Sequence, residues 1–597
     1  MRLIVDIETN GFLDQLTTIH CIVAYDLDSS TLYKFKPYEI DAGVALLEKA
    51  DELIAHNGIT FDVPAIQKLY PNFKPKKVVD TLVCSRLIWS NLQAQDFEHR
   101  DPKLPTRRYG SHALEAWGYR LGLNKGDYGK QDNAWDTFSD EMLEYCVQDV
   151  RVTSRLYTKI LGAKYSQQAL DLEHSVAELM WRQHQNGFVF DEDAAVKLYI
   201  DLAAQRSEIF EQLHDLFPAW VVNEGTNNPK RTIRYKDPKK ADRTEGAEFT
   251  AIKITDFNPA SRAHISNRLI SKYNWKPKVF TDNGAPKIDE TVLSKLPYPE
   301  AKRIARYFML QKRIGQLSEG NNGWLKLVKD GKLHGRVNPN GAVTGRATHQ
   351  NPNLGQVPSL ASEYGKECRE LFTVPKGWKL MGADASGLEL RCLAHYMHRY
   401  DDGAYADVVL NGDIHTVNQL ASGLPTRDQA KTFIYAFLYG AGDELIGQLV
   451  GGGAKEGKKI KKAFIDKTPA LRQLREAVTK AAARGYINAL DRRQIHIRSP
   501  HAALNSLLQS AGAVICKQWL VEFENEMTTQ GFAHGWNGDY CLCAWVHDEI
   551  QVAVREDLAV KVGQIAVQTI QRVTKVFNFK CPLDGEYNIG SSWAETH

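Results

Sequence analysis

The sequence predicts a multidomain α/β protein, and three observations lead there. A chain of 597 residues is longer than one hydrophobic core can serve. Its first 160 residues or so mix strand-like runs (RLIVDIET, IHCIVAYDL, ELIAHNG) with helical ones (DVPAIQKLY, DEMLEYCVQDVRVTSRLYTKIL). From about residue 325 strand-like and helical segments alternate again, around a helix-rich stretch from about 426 to 490.

In Ile4-Val5-Asp6-Ile7-Glu8, period-2 alternation places Asp6 and Glu8 on one face and Val5 and Ile7 on the other. Asp62 follows the next strand-like run. Tyr145 and Asp149, four residues apart, share a helix face. A helix over DLEHSVAELMWRQHQNG carries Leu172, Val176, Leu179 and Met180 at helical spacing and stops at Gly187; DEDAAVKLYIDLAAQRSEIFEQLHDLF, with an acidic cap, is the next. Between Val222 and Asp256 the periodicity collapses around Gly225, Pro229 and Pro238, which predicts a loop or small insertion; it carries Lys230, Arg231, Arg234, Lys236, Lys239, Lys240 and Arg243.

The remaining composition mostly excludes. Net charge is only +3, so any basic surface has to be gathered locally. The nine cysteines have no CxxC spacing, and Cys541 and Cys543 read as core, which points to free thiols in a reducing compartment. Met1-Arg2-Leu3-Ile4-Val5 runs straight into Asp6 and Glu8, unlike a signal peptide, and no apolar run approaches the ~20 residues a bilayer needs. A soluble intracellular protein is expected.

Two acidic constellations carry the chemistry. Asp6, Glu8, Asp62 and Asp149 would repel one another on convergence unless cations sat between them. Two divalent ions about 3.5–4 Å apart suit phosphodiester cleavage, with Tyr145 orienting the water. In the second, Asp384 of LMGADASGLELR and His547-Asp548-Glu549 of AWVHDEIQVAV each end an apolar run. Between them Arg427, Lys431, Tyr435 and Tyr439 recur every four residues, so two cations and two aromatics form one helical stripe. Cations suit triphosphate oxygens and rings suit sugars and bases, which points to metal-assisted phosphoryl transfer.

The ordered set DIET, HNGxxFD and YxxxD resembles the signature of DEDDy 3′–5′ exonucleases. DASGLELR, RxxxKxxxYxxxYG and HDE resemble motifs A, B and C of family A (DNA polymerase I-like) enzymes. LEAWGYRLGLNKGDY, VNPNGAVTGRATHQNPNLGQVP, NGDIHTVNQ, FLYGAGDELIGQLVG, RSPHAALNSLLQSAGAVICK and HGWNGDYCLCAWVHDEIQV are similar to the replicative DNA polymerases of T-seven-like short-tailed phages. The resemblance spans nearly the whole chain in motif order.

It implies an RNase H-like exonuclease domain over 1–160, then a right hand: a thumb over 161–325 with a short basic insertion at about 222–256, palm at 326–425 and 491–597, and fingers at 426–490. Asp6, Glu8, Asp62 and Asp149 would hold or support metal. Asp384, Asp548 and the Ala385 carbonyl would hold two Mg²⁺ ions, with Mn²⁺ as the alternative and Glu549 in support. Arg427, Lys431 and His415 would grip the triphosphate, with Lys431 protonating pyrophosphate. Glu389 would exclude a ribose 2′-hydroxyl. Tyr435 would pack under the sugar, a tyrosine that the family associates with weak rejection of dideoxynucleotides. Tyr439 would stack where the template base enters, Arg346 and Gln509 would read the minor groove, and His547 would touch the primer terminus. Plainer alternatives stay open: His415 as a core histidine, Gln509 as a helix cap and His547 as hairpin closure.

The implied partners are primer–template DNA and dNTPs, with a phage helicase-primase and a single-stranded DNA-binding protein. The location is the cytoplasm of an infected bacterium, with no membrane contact. The phage relatives carry a long thumb insertion that captures host thioredoxin. Only the short basic segment stands there, which argues against thioredoxin capture and leaves Lys230 through Arg243 either to hold DNA phosphates or to remain a solvated loop. A repair-type polymerase and a single-subunit RNA polymerase are the competing readings.

Overall fold

The alternation in Arg2–Thr9 makes that segment the middle strand of the first sheet. The computed structural model describes every residue except Asn124, Lys125, Asp127, Lys239 and Lys240. Within it β1 (Arg2–Thr9), β2 (Ile19–Asp26), β3 (Thr31–Phe35), β4 (Glu52–Ala55) and β5 (Val78–Asp80) lie in the order β3-β2-β1-β4-β5. β1 runs antiparallel to β2 and parallel to β4. Val5 and Ile7 join the cluster of Ala65 and Ile66 from α1 (Asp62–Leu69). On the other face Ile4 packs with Leu143, Cys146, Val147 and Val150. Those residues line one side of α3 (Asp140–Gly162), which follows α2 (Thr81–Ile88) and is capped by Ser139 accepting the Met142 N–H. Both faces of the sheet are thus buried. The strand-to-helix patterning of this region is as expected from the sequence.

α4 (Gln167–Asn186) ends where expected, at Gly187 with φ +64°. Its Glu173 lies fully buried against α13 (Ala503–Thr529) and accepts from Arg493 Nη1 at 2.5 Å and from Lys517 Nζ. Arg493 is held on its other side by Asp491 at 2.6 Å.

The chain divides into two compact units, Met1–Val189 with Lys332–His597, and Phe190–Gly331. In the second unit α5 (Glu192–Leu216), α6 (Arg262–Tyr273) and α7 (Pro299–Ile314) enclose a core that includes Leu213, Phe217, Phe257, Leu269 and Ile304.

The segment over 222–256, expected as a loop or small insertion, holds paired strands at its two ends. It is a two-stranded antiparallel ribbon of β6 (Trp220–Asn227) and β7 (Phe249–Thr255), continued by an Ile233–Arg243 bridge. Val221, Val222, Thr226, Thr250, Ile252 and Ile254 prefer extended backbone, and Gly225 at φ +105° sits at a bulge that bends the ribbon rather than ending it. Turn-forming residues hid this pairing because the strands meet across more than twenty residues. Of the basic residues expected there, Lys239 and Lys240 lie outside the described residues.

The second sheet, in the larger unit, has the order β9-β10-β8-β11, formed by β8 (Trp378–Ala385), β9 (Tyr540–Val546), β10 (Glu549–Arg555) and β11 (Gly585–Gly590), all neighbours antiparallel. Cys541 and Cys543 are core residues of β9. α8 (Leu388–Asp401) leaves β8 directly. α9 (Ile414–Ser422), α10 (Arg427–Leu438), α11 (Ala454–Lys467) and α12 (Pro469–Ala482) form the helix-rich stretch, pinned by Phe433, Phe437 and Phe464. α13 and α14 (Ala559–Val576) pack against one another within the core that includes the sheet.

Candidate active sites

At the first site β1 aims Asp6 and Glu8 at α3. Single oxygens of the two carboxylates and the Cys146 Sγ all lie within 4.8 Å of one another. The Cys146 thiol donates to the Asp6 carboxylate at 3.4 Å. Asp149 is one helical turn further along α3, on the same face. Asp62, at the start of α1, accepts the Ile7 amide; burial, then the charges of Asp80 and Asp149, push it up to about 7. Of the four acids named from the sequence, Asp6 and Glu8 lie together with Cys146, and Asp62 lies within electrostatic reach of Asp149. Asp80 was not singled out in the sequence: it accepts from the amides of Asn57 at 2.9 Å, Ile59 at 3.2 Å and Leu82 at 2.8 Å, and so fixes the turn that presents Asp62. The Tyr145 ring lies 5.7 Å from that of Tyr128 and 5.9 Å from that of Trp135.

At the second site β8 and β10 bring their acids together at adjacent strand ends. Asp384 is the register partner of Glu549, and the Ala385 N–H donates to the Asp548 carbonyl at 3.0 Å. His547 turns the β9–β10 hairpin at φ +59°. Burial, then Glu549 and Asp548, push Asp384 up to about 7; burial, then Glu389 and Glu549, push Asp548 up to about 6. Glu549 differs. Burial also opposes its charge, but the His597 hydrogen bond and the Arg369 charge outweigh that and hold it below the usual glutamate range.

Two of the side chains that support Glu549 come from the end of the chain. His597 Nδ1 lies 2.8 Å from Glu549 Oε2, while Trp593 Nε1 at 2.5 Å and Gln551 Nε2 at 2.6 Å donate to Oε1. Gly382 permits the approach of residues 591–597, since a Cβ there would collide with the Thr596 carbonyl.

α10 presents the stripe as spaced. Lys431 is exposed, and the Tyr435 phenol is raised by burial first and then by the charges of Glu389 and Asp548. Tyr439 donates to Glu389 at the first turn of α8, and the Arg346 guanidinium lies 5.4 Å from the Tyr439 ring centre. Arg427 is gripped by Asp413, the cap of α9, at 2.7 and 3.1 Å, a partner the sequence did not single out. The His415 ring stands 6.2 Å from that of Tyr435, with its buried Nδ1 lacking a partner among the described residues. Gln509 is half-buried on α13, away from either end, so it is not a helix cap.

Two half-buried acids that repel each other suit a divalent cation, which would remove the repulsion. The oxygens of Asp384, Asp548 and the Ala385 carbonyl could hold such an ion, and would form a hard donor set of the kind that suits Mg²⁺ or Mn²⁺. Both acids lie above the ~3.9 of an unfolded aspartate, so protons compete with the cation and protonation stabilises the metal-free fold. That stabilisation is lost as pH rises through about 6 to 7. Divalent-ion affinity is therefore expected to rise from about pH 6 to about pH 8, with proton release near pH 6.5. Calorimetry in buffers of different ionisation enthalpy measures that release; binding with no proton release would contradict it.

The model of DNA polymerase family A matches residues 233–595, and that of the RNase H superfamily matches residues 3–161. A DNA-directed DNA polymerase of Enterobacteria phage T3 is 42% identical over 705 aligned positions, covering 100% of both chains. That of Escherichia phage T7 is 42% identical over 702 positions, covering 99% of each. Both alignments run longer than the 597 residues here, so these relatives carry residues without counterparts in this chain. Among solved structures, the polymerase domain of Pol1 from M. smegmatis in complex with DNA primer-template and dNTP matches with a TM-score of 0.74 and 17% identity, covering 100% of this chain and 96% of that one.

Proposed function

The chain belongs to DNA polymerase family A and is a DNA-directed DNA polymerase with a 3′–5′ exonuclease domain; on that premise we propose how its residues divide the work. The observation that carries the reading is the pairing of the raised acids Asp384 and Asp548 at adjacent strand ends, within electrostatic reach of Tyr435 on α10.

Asp384, Asp548 and the Ala385 carbonyl are the metal ligands, and Mg²⁺ is the ion, with Mn²⁺ as the alternative. Divalent ions held there supply charge stabilisation for nucleotidyl transfer and sharpen the primer 3′-hydroxyl. Glu549, oriented by Trp593, Gln551 and His597, keeps its charge and supports the pair. Lys431, Arg427 and His415 bind the triphosphate, with Arg427 exchanging Asp413 for phosphate oxygens, and Lys431 delivers a proton to pyrophosphate. Glu389 bars a 2′-hydroxyl and Tyr435 packs under the sugar. Tyr439 stacks at the template entry, Arg346 and Gln509 probe the minor groove, and His547 meets the primer end. Asp6, Glu8, Asp62 and Asp149 form the digestion site and Tyr145 positions its water.

The thumb corresponds to 161–325, the palm to 326–425 and 491–597, and the fingers to 426–490. Among the described residues no helix is long and apolar enough to cross a membrane. The enzyme acts in the cytoplasm of an infected bacterium, beside a helicase-primase and a single-stranded DNA-binding protein, and its short basic segment argues against thioredoxin capture.

Primer extension with dNTPs against rNTPs, together with digestion of a mismatched primer, tests this assignment. Efficient rNTP use would favour an RNA polymerase, and an inert nuclease site would favour a repair enzyme.

The β6–β7 ribbon holds DNA backbone through Lys230, Arg231, Arg234 and Lys236, all carried on the stretch between its strands. Replacing these four by alanine is expected to flatten the plot of log affinity against log salt by up to about 3 to 4, close to 0.9 per phosphate contact, and to shorten products. An unchanged slope and unchanged product lengths would leave the ribbon as solvated surface.

A further inference from the structure

We infer that the Cys146 thiol is a ligand that the first acidic cluster offers to thiophilic divalent ions, so that the two active sites of one chain differ in the metals they hold. The inference rests on the reading of that cluster as a metal-dependent nuclease site. The placement of the sulfur carries it. Among the described residues, Asp6, Glu8 and Cys146 are the trio of potential ligands whose atoms come within 4.8 Å of one another. The Sγ lies 3.4 Å from Asp6 Oδ2 and 3.4 Å from the Asp6 carbonyl. Cys146 is wholly buried and three residues before Asp149 on α3, so the helix that brings the fourth acid brings the sulfur with it. Its Sγ reaches Asp6 from within the apolar cluster that includes Ile4, Cys21 and Val23, where Cys21 is a second hydrogen-bond partner.

Hard ions such as Mg²⁺ prefer oxygen and leave the thiol as a donor to Asp6, whereas Zn²⁺, Cd²⁺ and Co²⁺ favour sulfur. On ligation the S–H bond breaks, a metal–sulfur bond of about 2.3 Å forms for zinc, and the proton passes to water. No electron is transferred. The ligands of the second site would be Asp384, Asp548 and the Ala385 carbonyl, all oxygen donors. Zinc is therefore expected to displace the working ion from the digestion site at concentrations that leave polymerisation untouched.

The experiment is a Co²⁺ titration of the metal-free full-length protein, followed by its near-ultraviolet absorption. A sulfur-to-cobalt charge-transfer band is expected, and Cys146→Ser and Cys146→Ala should both lose it. The Zn²⁺ concentration that halves Mg²⁺-supported digestion should rise tenfold or more in both variants, within the 10- to 100-fold range seen when a metal's close partners are removed. Primer extension by the same preparations reports that the variants are folded. No band in the parent, or a band that survives in both variants, overturns the assignment. Asp6→Ala separates the two levels of the argument. If it abolishes digestion while the parent shows no band, the thiol ligand alone fails; if it digests normally, the nuclease reading fails along with it.

Discussion

Asp384→Ala is expected to lose primer extension by about 10³-fold or more while digesting a mismatched primer at the parent rate, and Asp6→Ala to do the reverse. A bound metal stabilises phosphoryl-transfer charge by several kcal/mol, and about 1.4 kcal/mol is a factor of ten in rate. The split follows from placement. Asp6 is the register partner of Val23 in one sheet and Asp384 that of Glu549 in another, so neither substitution disturbs the other cluster. A collapse of the fold would take both activities, and the electrostatics argue against one. Asp384 is raised to about 7 by burial and by Glu549 and Asp548, so at pH 8 its charge is a burden on the metal-free protein. Removing it should raise the metal-free melting temperature at pH 8 and abolish the gain from added Mg²⁺. Single-turnover extension and excision assays on both variants measure the split; loss of both activities in either variant would contradict two separate sites.

Glu173→Ala is expected to be the most destabilising single change at a distance from either cluster. Glu173, Arg493, Asp491 and Lys517 are all essentially buried. Burial opposes the Glu173 charge, but Lys517 and Arg493 outweigh it and hold the carboxylate below its usual range; Lys517 is lowered to about 8, chiefly by burial. Truncating the shared acceptor leaves two buried cations with one carboxylate between them, and breaking a buried pair in this way costs about 3–5 kcal/mol. The melting temperature should fall by roughly 5–10 °C. The double variant Glu173→Leu with Lys517→Met removes an acceptor and a donor together. It should recover part of that loss, because apolar replacements of matching volume often cost little. A Glu173→Ala variant that melts with the parent would show that water or a rearranged Asp491 already satisfies the cations.

Much of this was legible in the chain. Alternation in Ile4-Val5-Asp6-Ile7-Glu8 fixed which residues face α3. Four-residue spacing fixed the Arg427–Tyr439 stripe, and the Gly187 stop was read at its position. These are local properties, set by the pitch of a helix or the pleat of a strand. The strand pairing of the β6–β7 ribbon was not legible in what reads as a loop or small insertion, because it joins residues such as Val221 and Ile254, and the intervening glycine and prolines dominate any local window.

The supports of the two sites were illegible for a related reason. Asp413 beneath Arg427, Asp80 beneath the turn before Asp62, and Trp593, Gln551 and His597 around Glu549 carry no spacing signal of their own. Each is an ordinary polar or aromatic residue until the fold sets it beside a charge.

The sequence by itself determined the chemistry. The kinds of side chain, their order and their local periodicity already required two acidic clusters and a cationic helix. Tertiary structure alone decided the charge states, in that Asp384 and Asp548 carry raised values while their neighbour Glu549 is held low, and it alone set Cys146 beside Asp6 and Glu8 from the far end of the first domain. The reason is that proton affinity depends on desolvation and on charges within a few ångströms, and those neighbours come from residues remote in the chain.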